Sequence, residues 1–354
     1  MIKSKYKVIG VMSGTSLDGI DVAYLEFCFD ISWSFKIIKA ETISYSSEWY
    51  NTLLNLVSNS LDELLEIDKE YTVYVASKVK DFIDRNNIDD IDAICSHGHT
   101  ALHQPENGVT CQIGNLKEIS ELIGEIVVCD FRVQDVKLGG QGAPLVPIGD
   151  ALLFSGYDYC LNLGGFANIS TKIDSERIAF DICPLNIVLN HYVSKIDLLF
   201  DDKGEIASSG NVNLTLLKDL NDLEFYNLHP PKSLGFEWVR EQIFPLIDNF
   251  NLEIKDILRT FVEHSASQIA NELNKKQNTT ILITGGGAYN SFFISRLKDL
   301  THNKIVIPSQ NLIEYKEALI FGLLGVLKLR GENNCLASVT GAKRDHCSGK
   351  IYYP

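Results

Sequence analysis

Hydrophobic and polar positions at the start of the chain fall into two strand-like blocks. Val8-Ile9-Gly10-Val11 is an apolar run, and residues 20–27 form a second, broken in alternation by Asp21 and Glu26. Between them lies Ser13-Gly14-Thr15-Ser16-Leu17-Asp18-Gly19. The pattern predicts two antiparallel strands joined by a loop too rich in Gly, Ser and Thr to be an ordinary turn. Residues 35–45 predict a third strand. Residues 48–86 are charged and helix-periodic, with Leu53, Leu54, Leu61, Leu64 and Leu65 supplying apolar faces. Short strands are expected at 91–95, 109–113 and 125–129, with a helix over 115–123. Together these make an α/β domain with a mixed sheet.

The pattern breaks at Gly139-Gly140-Gln141-Gly142-Ala143-Pro144, a candidate boundary or hinge. The opening theme then restarts. Tyr159-Cys160-Leu161-Asn162-Leu163 runs into Gly164-Gly165, Phe166-Ala167-Asn168-Ile169-Ser170 comes back, and a third strand is expected over 177–181. Helical segments dominate 185–275. A late strand at 280–284 opens into Gly285-Gly286-Gly287-Ala288, with a helix from near Asn290, a strand at 304–307 and a helix over 315–329. Strand, glycine turn, strand at the head of each half signals two similar domains, expected at 1–132 and 133–354.

The 354 residues with 45% apolar content can bury a core large enough for two domains. Net charge is 32 − 46 = −14 with no basic run, which argues against nucleic acid or an anionic membrane as partner. The N-terminus shows no signal-peptide apolar region, and the longest clean apolar run, 318–327, is too short to span a bilayer. Eight scattered cysteines without a CxxC pair read as reduced thiols of a cytoplasmic protein, with no disulfide framework and no zinc site indicated.

The loop of residues 13–19 is where chemistry first enters. Backbone N–H groups at two glycines and three hydroxyls make a concave donor set suited to phosphate oxygens. Asp18 would repel a bare phosphate, but Mg²⁺ between them resolves this, since the ion takes one or two carboxylates plus phosphate oxygens. A bulged hairpin with a polar tip is the equally open alternative. Three glycine turns at three strand ends fit a nucleotide clamped between two domains, with two hairpins on the phosphates and the third turn under the adenosine. Neither a GxxxxGK[ST] loop nor a GxGxxG after a strand is present.

The blocks GVMSGTSLDGID, DFRVQDVKLGGQGAPLVP, LNLGGFANIS, PPKSLGFEW, ITGGGAYN and SVTGA resemble, in order and over essentially the whole chain, those of anhydro-N-acetylmuramic acid kinases. These are sugar kinases of the actin/hexokinase-like ATPase superfold. The resemblance implies two actin-like ATPase (ribonuclease H-like) domains flanking a deep cleft, with ATP and Mg²⁺ as cofactors. It implies hydrolysis of the 1,6-anhydro ring of anhydro-N-acetylmuramic acid with phosphorylation of the 6-hydroxyl, in peptidoglycan recycling. The nucleotide would be held by Ser13, Gly14, Thr15, Ser16, Leu17, Asp18, Gly19, Ile20 and Asp21, by Asn162, Gly164 and Gly165, and by Gly286 and Gly287. Asp18 would carry the metal. A homodimer is common among such kinases. A weakened sugar or nucleotide sensor, or a kinase for another sugar, are the alternatives.

Hydrolysis at an anomeric centre usually needs two carboxyl groups. Here the leaving oxygen takes a phosphoryl group instead of a proton, so one carboxylate base suffices. Asp181, ending its expected strand, is the candidate, and the resemblance points to it too; a helix N-cap is the competing role. The resembled pattern is roughly D-T-G-P-G/A-N, whereas this chain has Asp181-Ile182-Cys183-Pro184-Leu185-Asn186, a departure that could reshape the turn. Arg132 is either a fork for the sugar's carboxylate or the moving phosphoryl group, or a surface ion pair with Asp130 or Asp135. Glu317 is either a helix N-terminal dipole partner or a ligand to sugar hydroxyls. The resemblance tips both toward substrate, and it adds Asn186. His97, His99 and His103 lack metal spacing; they are expected to line the sugar pocket or to hydrogen-bond nearby backbone, and Thr100 to do the same.

Overall fold

The opening alternation resolves as a hairpin in which every apolar inward position is matched across the pair. β1 (Lys5–Ser13) runs antiparallel to β2 (Ile20–Phe29), in register from Lys5↔Cys28 to Ser13↔Ile20. The computed structural model describes residues 3–14 and 17–354, so Thr15 and Ser16 of the expected phosphate loop lie outside the described residues. β3 (Trp33–Ile43) pairs antiparallel with β2, while β4 (Ala93–Ser96) and β7 (Val127–Cys129) continue the sheet in parallel from β1.

Between them, β5 (His99–Gln104) and β6 (Val109–Ile113) form a separate antiparallel pair. β5 falls where the sequence suggests only a histidine-rich loop, because its strand character comes from pairing and not from an apolar run.

The same order recurs later in the chain. β8 (Tyr159–Leu163), β9 (Phe166–Ile173) and β10 (Glu176–Pro184) are successive antiparallel neighbours. β11 (Thr280–Thr284) and β12 (Lys304–Val306) then join in parallel beside β8. The second sheet reads β10-β9-β8-β11-β12, and the first reads β3-β2-β1-β4-β7 before β13 (Lys350–Tyr352) adds at its edge. One strand order used twice is the physical content of the repeat seen in the sequence, as the expected α/β class of two actin-like ATPase (ribonuclease H-like) domains requires.

Contacts divide the chain into Met1–Leu153 with Tyr315–Pro354, and Phe154–Glu314. This differs from the expected division after Arg132. Residues beyond Arg132 stay with the first unit because Asp135 accepts from the Gly142 N–H and the Thr340 hydroxyl, each at 2.7 Å. The C-terminus returns to that unit because β13 pairs with β7.

In the first unit, the Leu61–Arg85 helix starts with a capping box, Ser60 to Glu63. It buries Leu64, Tyr71, Val75, Val79 and Phe82 with Ile9, Val11, Ile20 and Val22 of the sheet. From the other face comes the later part of the Gln310–Arg330 helix, whose backbone departs from helical values at Tyr315. Its Ala318 carbonyl approaches Gly10 so closely that a Cβ there would lie 2.0 Å away. Gly10→Ala should therefore destabilise the protein by about 1–3 kcal/mol through overpacking, read as a lower urea midpoint. In the second unit, the Ile254–Leu273 helix packs Phe261, Val262, Ala266, Ile269, Ala270 and Leu273 with Leu161, Ile169 and Ile281 of the sheet.

Candidate active site

The loop after β1 is anchored at its base by a buried hydroxyl network. Ser13 Oγ lies 2.6 Å from Tyr45 Oη, 2.9 Å from Tyr71 Oη and 2.8 Å from His99 Nδ1. The two phenols are 2.8 Å apart. Burial pushes both phenols up and His99 down to about 4, so the network is uncharged at neutral pH. The Ser13 side chain is committed here, and a ligand contact from Ser13 must come through its main chain. Ser13→Ala leaves His99 Nδ1 and Tyr71 Oη short of a partner and should cost about 1–3 kcal/mol, checked by thermal or urea unfolding.

Beyond Ser13, Gly14 accepts from the Leu17 N–H at 3.4 Å, and Leu17 is buried with φ +59°. Gly19 is demanded by β3, since a Cβ would lie 2.6 Å from the Ile43 carbonyl oxygen. Ile20 is buried, and Asp21 Oδ1 accepts from Thr42 Oγ1 at 2.6 Å. Leu17 and Ile20 therefore offer a ligand only backbone groups, while the Asp18 side chain is exposed to solvent.

His97 and Arg132 form a defined pair. His97 Nδ1 sits 2.8 Å from the Gly98 carbonyl, which can only accept, so Nδ1 carries the proton. Nε2 then accepts from Arg132 Nε at 2.9 Å. Burial and the neighbouring guanidinium hold the His97 pKa well below its ordinary value, so the ring stays neutral. Arg132 Nη1 donates to the Gly142 carbonyl at 2.7 Å. Two fixed bonds on Nε and Nη1 orient the fork. Asp130, one of the two ion-pair partners considered from sequence, is engaged instead by Lys350 at 2.7 Å.

Glu317 is exposed on the Gln310–Arg330 helix and lies in the electrostatic reach of Arg132, Lys316 and Asp18. The backbone leaves helical values at Tyr315, so Glu317 stands in the first turn of the helical stretch that follows, where the N-terminal dipole role remains open beside the sugar role. Thr100 is half-exposed on β5, opposite Gln112. His103 is exposed, with Nδ1 3.0 Å from Thr110 Oγ1. Each histidine has its own partner, and among the described residues the three do not converge on a metal position. The first unit thus gathers Asp18, His97, Arg132 and Glu317.

In the second unit, the β8–β9 turn rests on the start of the Asn186–Ser194 helix. The backbone N–H groups of Leu185 and Ile187 donate to the Gly165 carbonyl, that of Asn186 donates to the Gly164 carbonyl, and Asn186 Nδ2 donates to the Leu163 carbonyl at 3.2 Å. Asn186, expected on the sugar, is thereby joined to the turn expected on phosphate. Gly285, with φ +84°, abuts the end of β8: a Cβ there would lie 2.5 Å from Asn162 Oδ1. A Cβ on Gly287 would lie 2.7 Å from Leu163 Cβ, while the space over Gly286 is open. The two glycine turns of this unit are therefore neighbours, with Asn162 between them.

Asp181 lies inside β10 at a register shift against β9, where the pairing passes from Asp181↔Asn168 to Cys183↔Ala167. A bulge of this kind re-aims a side chain. The helix begins only at Asn186, with Leu185 as its N-cap, so the N-cap role for Asp181 is excluded. The backbone of the 230–234 loop grips it from the side: Asp181 N–H donates to the Lys232 carbonyl at 2.9 Å, and Leu234 N–H donates to Asp181 Oδ2 at 2.8 Å. Among the described residues Oδ1 carries no hydrogen bond. Burial raises the carboxyl pKa, and the Leu234 N–H only partly opposes this.

Sequence reasoning missed Leu234, whose contribution is a backbone N–H; the Pro230-Pro231 pair in the PPKS block was the only signal. The Lys232 ammonium instead donates to the Phe225 carbonyl and lies 4.4 Å over its ring. At the departures, Cys183 is buried on the strand, Leu185 is buried ahead of the helix, and neither has a positive φ.

A family model described as anhydro-N-acetylmuramic acid kinase matches residues 6–354. Proteins named anhydro-N-acetylmuramic acid kinase match along nearly their whole length. That of Sulfurimonas denitrificans is 34% identical over 97% of this chain and 98% of its own. That of Pseudomonas savastanoi pv. phaseolicola is 36% identical over 97% and 98%. That of Haemophilus influenzae is 33% identical over 97% of each.

Proposed function

The chain belongs to the anhydro-N-acetylmuramic acid kinase family, and from that premise we propose how its own residues carry the reaction. The activity is that of an ATP-dependent carbohydrate kinase. It opens the 1,6-anhydro ring of anhydro-N-acetylmuramic acid and phosphorylates the 6-hydroxyl, giving N-acetylmuramic acid 6-phosphate in peptidoglycan recycling. The observation that carries the assignment of roles is Asp181. One of its oxygens is held by Leu234 N–H, the other is without a hydrogen bond among the described residues, and burial has raised its proton affinity.

In the proposed reaction the Asp181 carboxylate takes a proton from water as the water oxygen bonds to the anomeric carbon. The bond from that carbon to O6 breaks, O6 takes the γ-phosphoryl group, and ADP departs. Arg132, oriented by His97, binds the sugar's carboxylate or the transferring phosphoryl group. Glu317 accepts from sugar hydroxyls. The backbone of 13–19 and the turns at Gly164-Gly165 and Gly286-Gly287 take the nucleotide. Asp18, a solvent-exposed carboxylate within a glycine-flanked loop, fits a hard cation. It would hold Mg²⁺, which when bound supplies charge neutralisation on the phosphates.

The same reading places the enzyme in the cytoplasm, where its ATP is, and takes the homodimer as its working form. Among the described residues no helix is long and apolar enough to cross a membrane.

Turnover in ¹⁸O-water followed by mass analysis of the sugar tests the whole assignment. One ¹⁸O and one phosphoryl group should enter each product molecule, and transfer should stop when a chelator removes the divalent cation. A phosphorylated sugar that retains its anhydro ring, or bound ATP and sugar with no sugar phosphate formed, would overturn it.

A further inference from the structure

Three residues that play no part in the proposed reaction meet inside the first unit. Asp135, Cys335 and His346 are each almost fully buried, and one potential ligand atom from each lies within 4.8 Å of the other two. Two of them are positioned by backbone alone. Cys335 and His346 form an isolated antiparallel bridge, with Cys335 N–H donating to the His346 carbonyl at 3.1 Å and His346 N–H donating back at 3.2 Å. Residues directly opposite in such a pair project to one face. Asp135 meets them from the short Val133–Lys137 helix, its carboxylate already fixed by Thr340 and the Gly142 N–H.

The protonation pattern around His346 makes the cluster more than proximity. Nδ1 lies 3.1 Å from the Arg344 carbonyl oxygen, which only accepts, so Nδ1 carries a hydrogen and Nε2 is the nitrogen left for a metal ion or a second proton. Nε2 is buried and, among the described residues, has no hydrogen-bond partner. It faces Asp135 Oδ1 at 3.5 Å. Asp135 Oδ1 and an unprotonated Nε2 are both acceptors, so this buried separation calls for a proton or a metal ion between them. A histidine whose outer nitrogen is tied to a backbone carbonyl is also the usual arrangement behind a metal ligand. Two ligands on a tetrahedral ion with bonds of about 2.0–2.1 Å stand roughly 3.4 Å apart, which matches the observed spacing. The third donor is sulfur.

We infer that Asp135, Cys335 and His346 form a binding site for a single borderline-soft divalent ion of the Zn²⁺ class. The donor set of one thiolate, one imidazole and one carboxylate is that of a tetrahedral site, and water completes the coordination. Binding displaces the Cys335 thiol proton to solvent and forms a bond from the metal to sulfur, with no change of oxidation state. The ion ties the C-terminal segment to the helix that directly follows Arg132. The site is independent of the kinase reading, and its test needs no activity measurement.

The experiment uses the full-length protein, freed of metal and titrated with Co²⁺ and Zn²⁺. The expected result is one ion retained per chain after desalting, tetrahedral d–d and thiolate charge-transfer bands with Co²⁺, and one Zn–S distance of about 2.3 Å by X-ray absorption. Cys335→Ser and His346→Gln should each reduce retention at least tenfold with unchanged far-ultraviolet circular dichroism. The wild-type spectra decide the matter even if a variant fails to fold. Absence of a metal–sulfur signature, retention unaffected in either folded variant, or a ring proton found on His346 Nε2 in the presence of excess Zn²⁺ would each overturn the proposal.

Discussion

Asp181→Asn should lower turnover by roughly 10²–10⁴-fold, the typical worth of a positioned general base, while the protein remains folded and binds ATP with unchanged affinity. The amide oxygen can still accept from Leu234 N–H, so the grip of the 230–234 loop survives the substitution. The variant should be at least as stable as the wild type at neutral pH. Burial raises the wild-type carboxyl pKa, so the charged form is penalised in the folded state, and an amide escapes that penalty.

The sign follows from linkage. With the folded pKa above the unfolded one, the wild type gains stability as pH falls through the folded value, and the gap between the two proteins closes in acid. Activity runs the opposite way, because only the ionised carboxylate accepts a proton. The acid limb of the wild-type rate should therefore lie above the ordinary aspartate range near 3.9. Full turnover by Asp181→Asn would remove the base assignment. Unfolding of the variant would show that the carboxylate holds the loop and would contradict the stability argument.

Arg132→Lys should cost about 10–100-fold in kcat/KM for the sugar, with the KM for ATP unchanged. A hydrogen bond to a charged group is worth about 1.5–3 kcal/mol, and lysine retains the charge but not the planar fork. It also cannot reproduce the simultaneous bonds to His97 Nε2 and the Gly142 carbonyl. Arg132→Ala should be worse, since it removes the charge and leaves Nε2 without a donor. Steady-state kinetics with each substrate varied separately will separate these effects. A variant that weakened ATP alone would move Arg132 from the sugar to the nucleotide.

Much of the architecture was legible because strands and helices announce themselves locally. The strand at 109–113, the strand at 280–284 and the alternation on either side of residues 13–19 coincide with the structure. The Ser60–Glu63 capping box went unread, and the helix-periodic stretch over 48–86 is in fact two helices, Ser47–Leu54 and Leu61–Arg85. The recurrence of strand, glycine turn and strand announced a repeated fold, and both sheets use one order. Less legible were β5 and β13, whose few residues gain strand character only by pairing, and the division of the chain. Nothing near Arg132 says that the next twenty residues and the last forty belong with the first sheet.

The sequence alone determined the kind of protein this is: its motif blocks, in order, carry a family, and its glycine turns raised the expectation of a nucleotide that we propose they hold. What only the tertiary structure decided are the states of individual side chains. Ser13 is spent on a buried network, His97 is locked as a neutral acceptor for Arg132, and Asp181 sits on a bulge held by a distant loop. Asp135 meets Cys335 and His346 across some two hundred residues, where no spacing rule could pair them. The reason is one of range. Periodicity and turn chemistry act over a few bonds of chain. Proton affinity, tautomer and ligand geometry depend on what is packed within a few ångströms, and long-range contacts bring those neighbours from anywhere along the sequence.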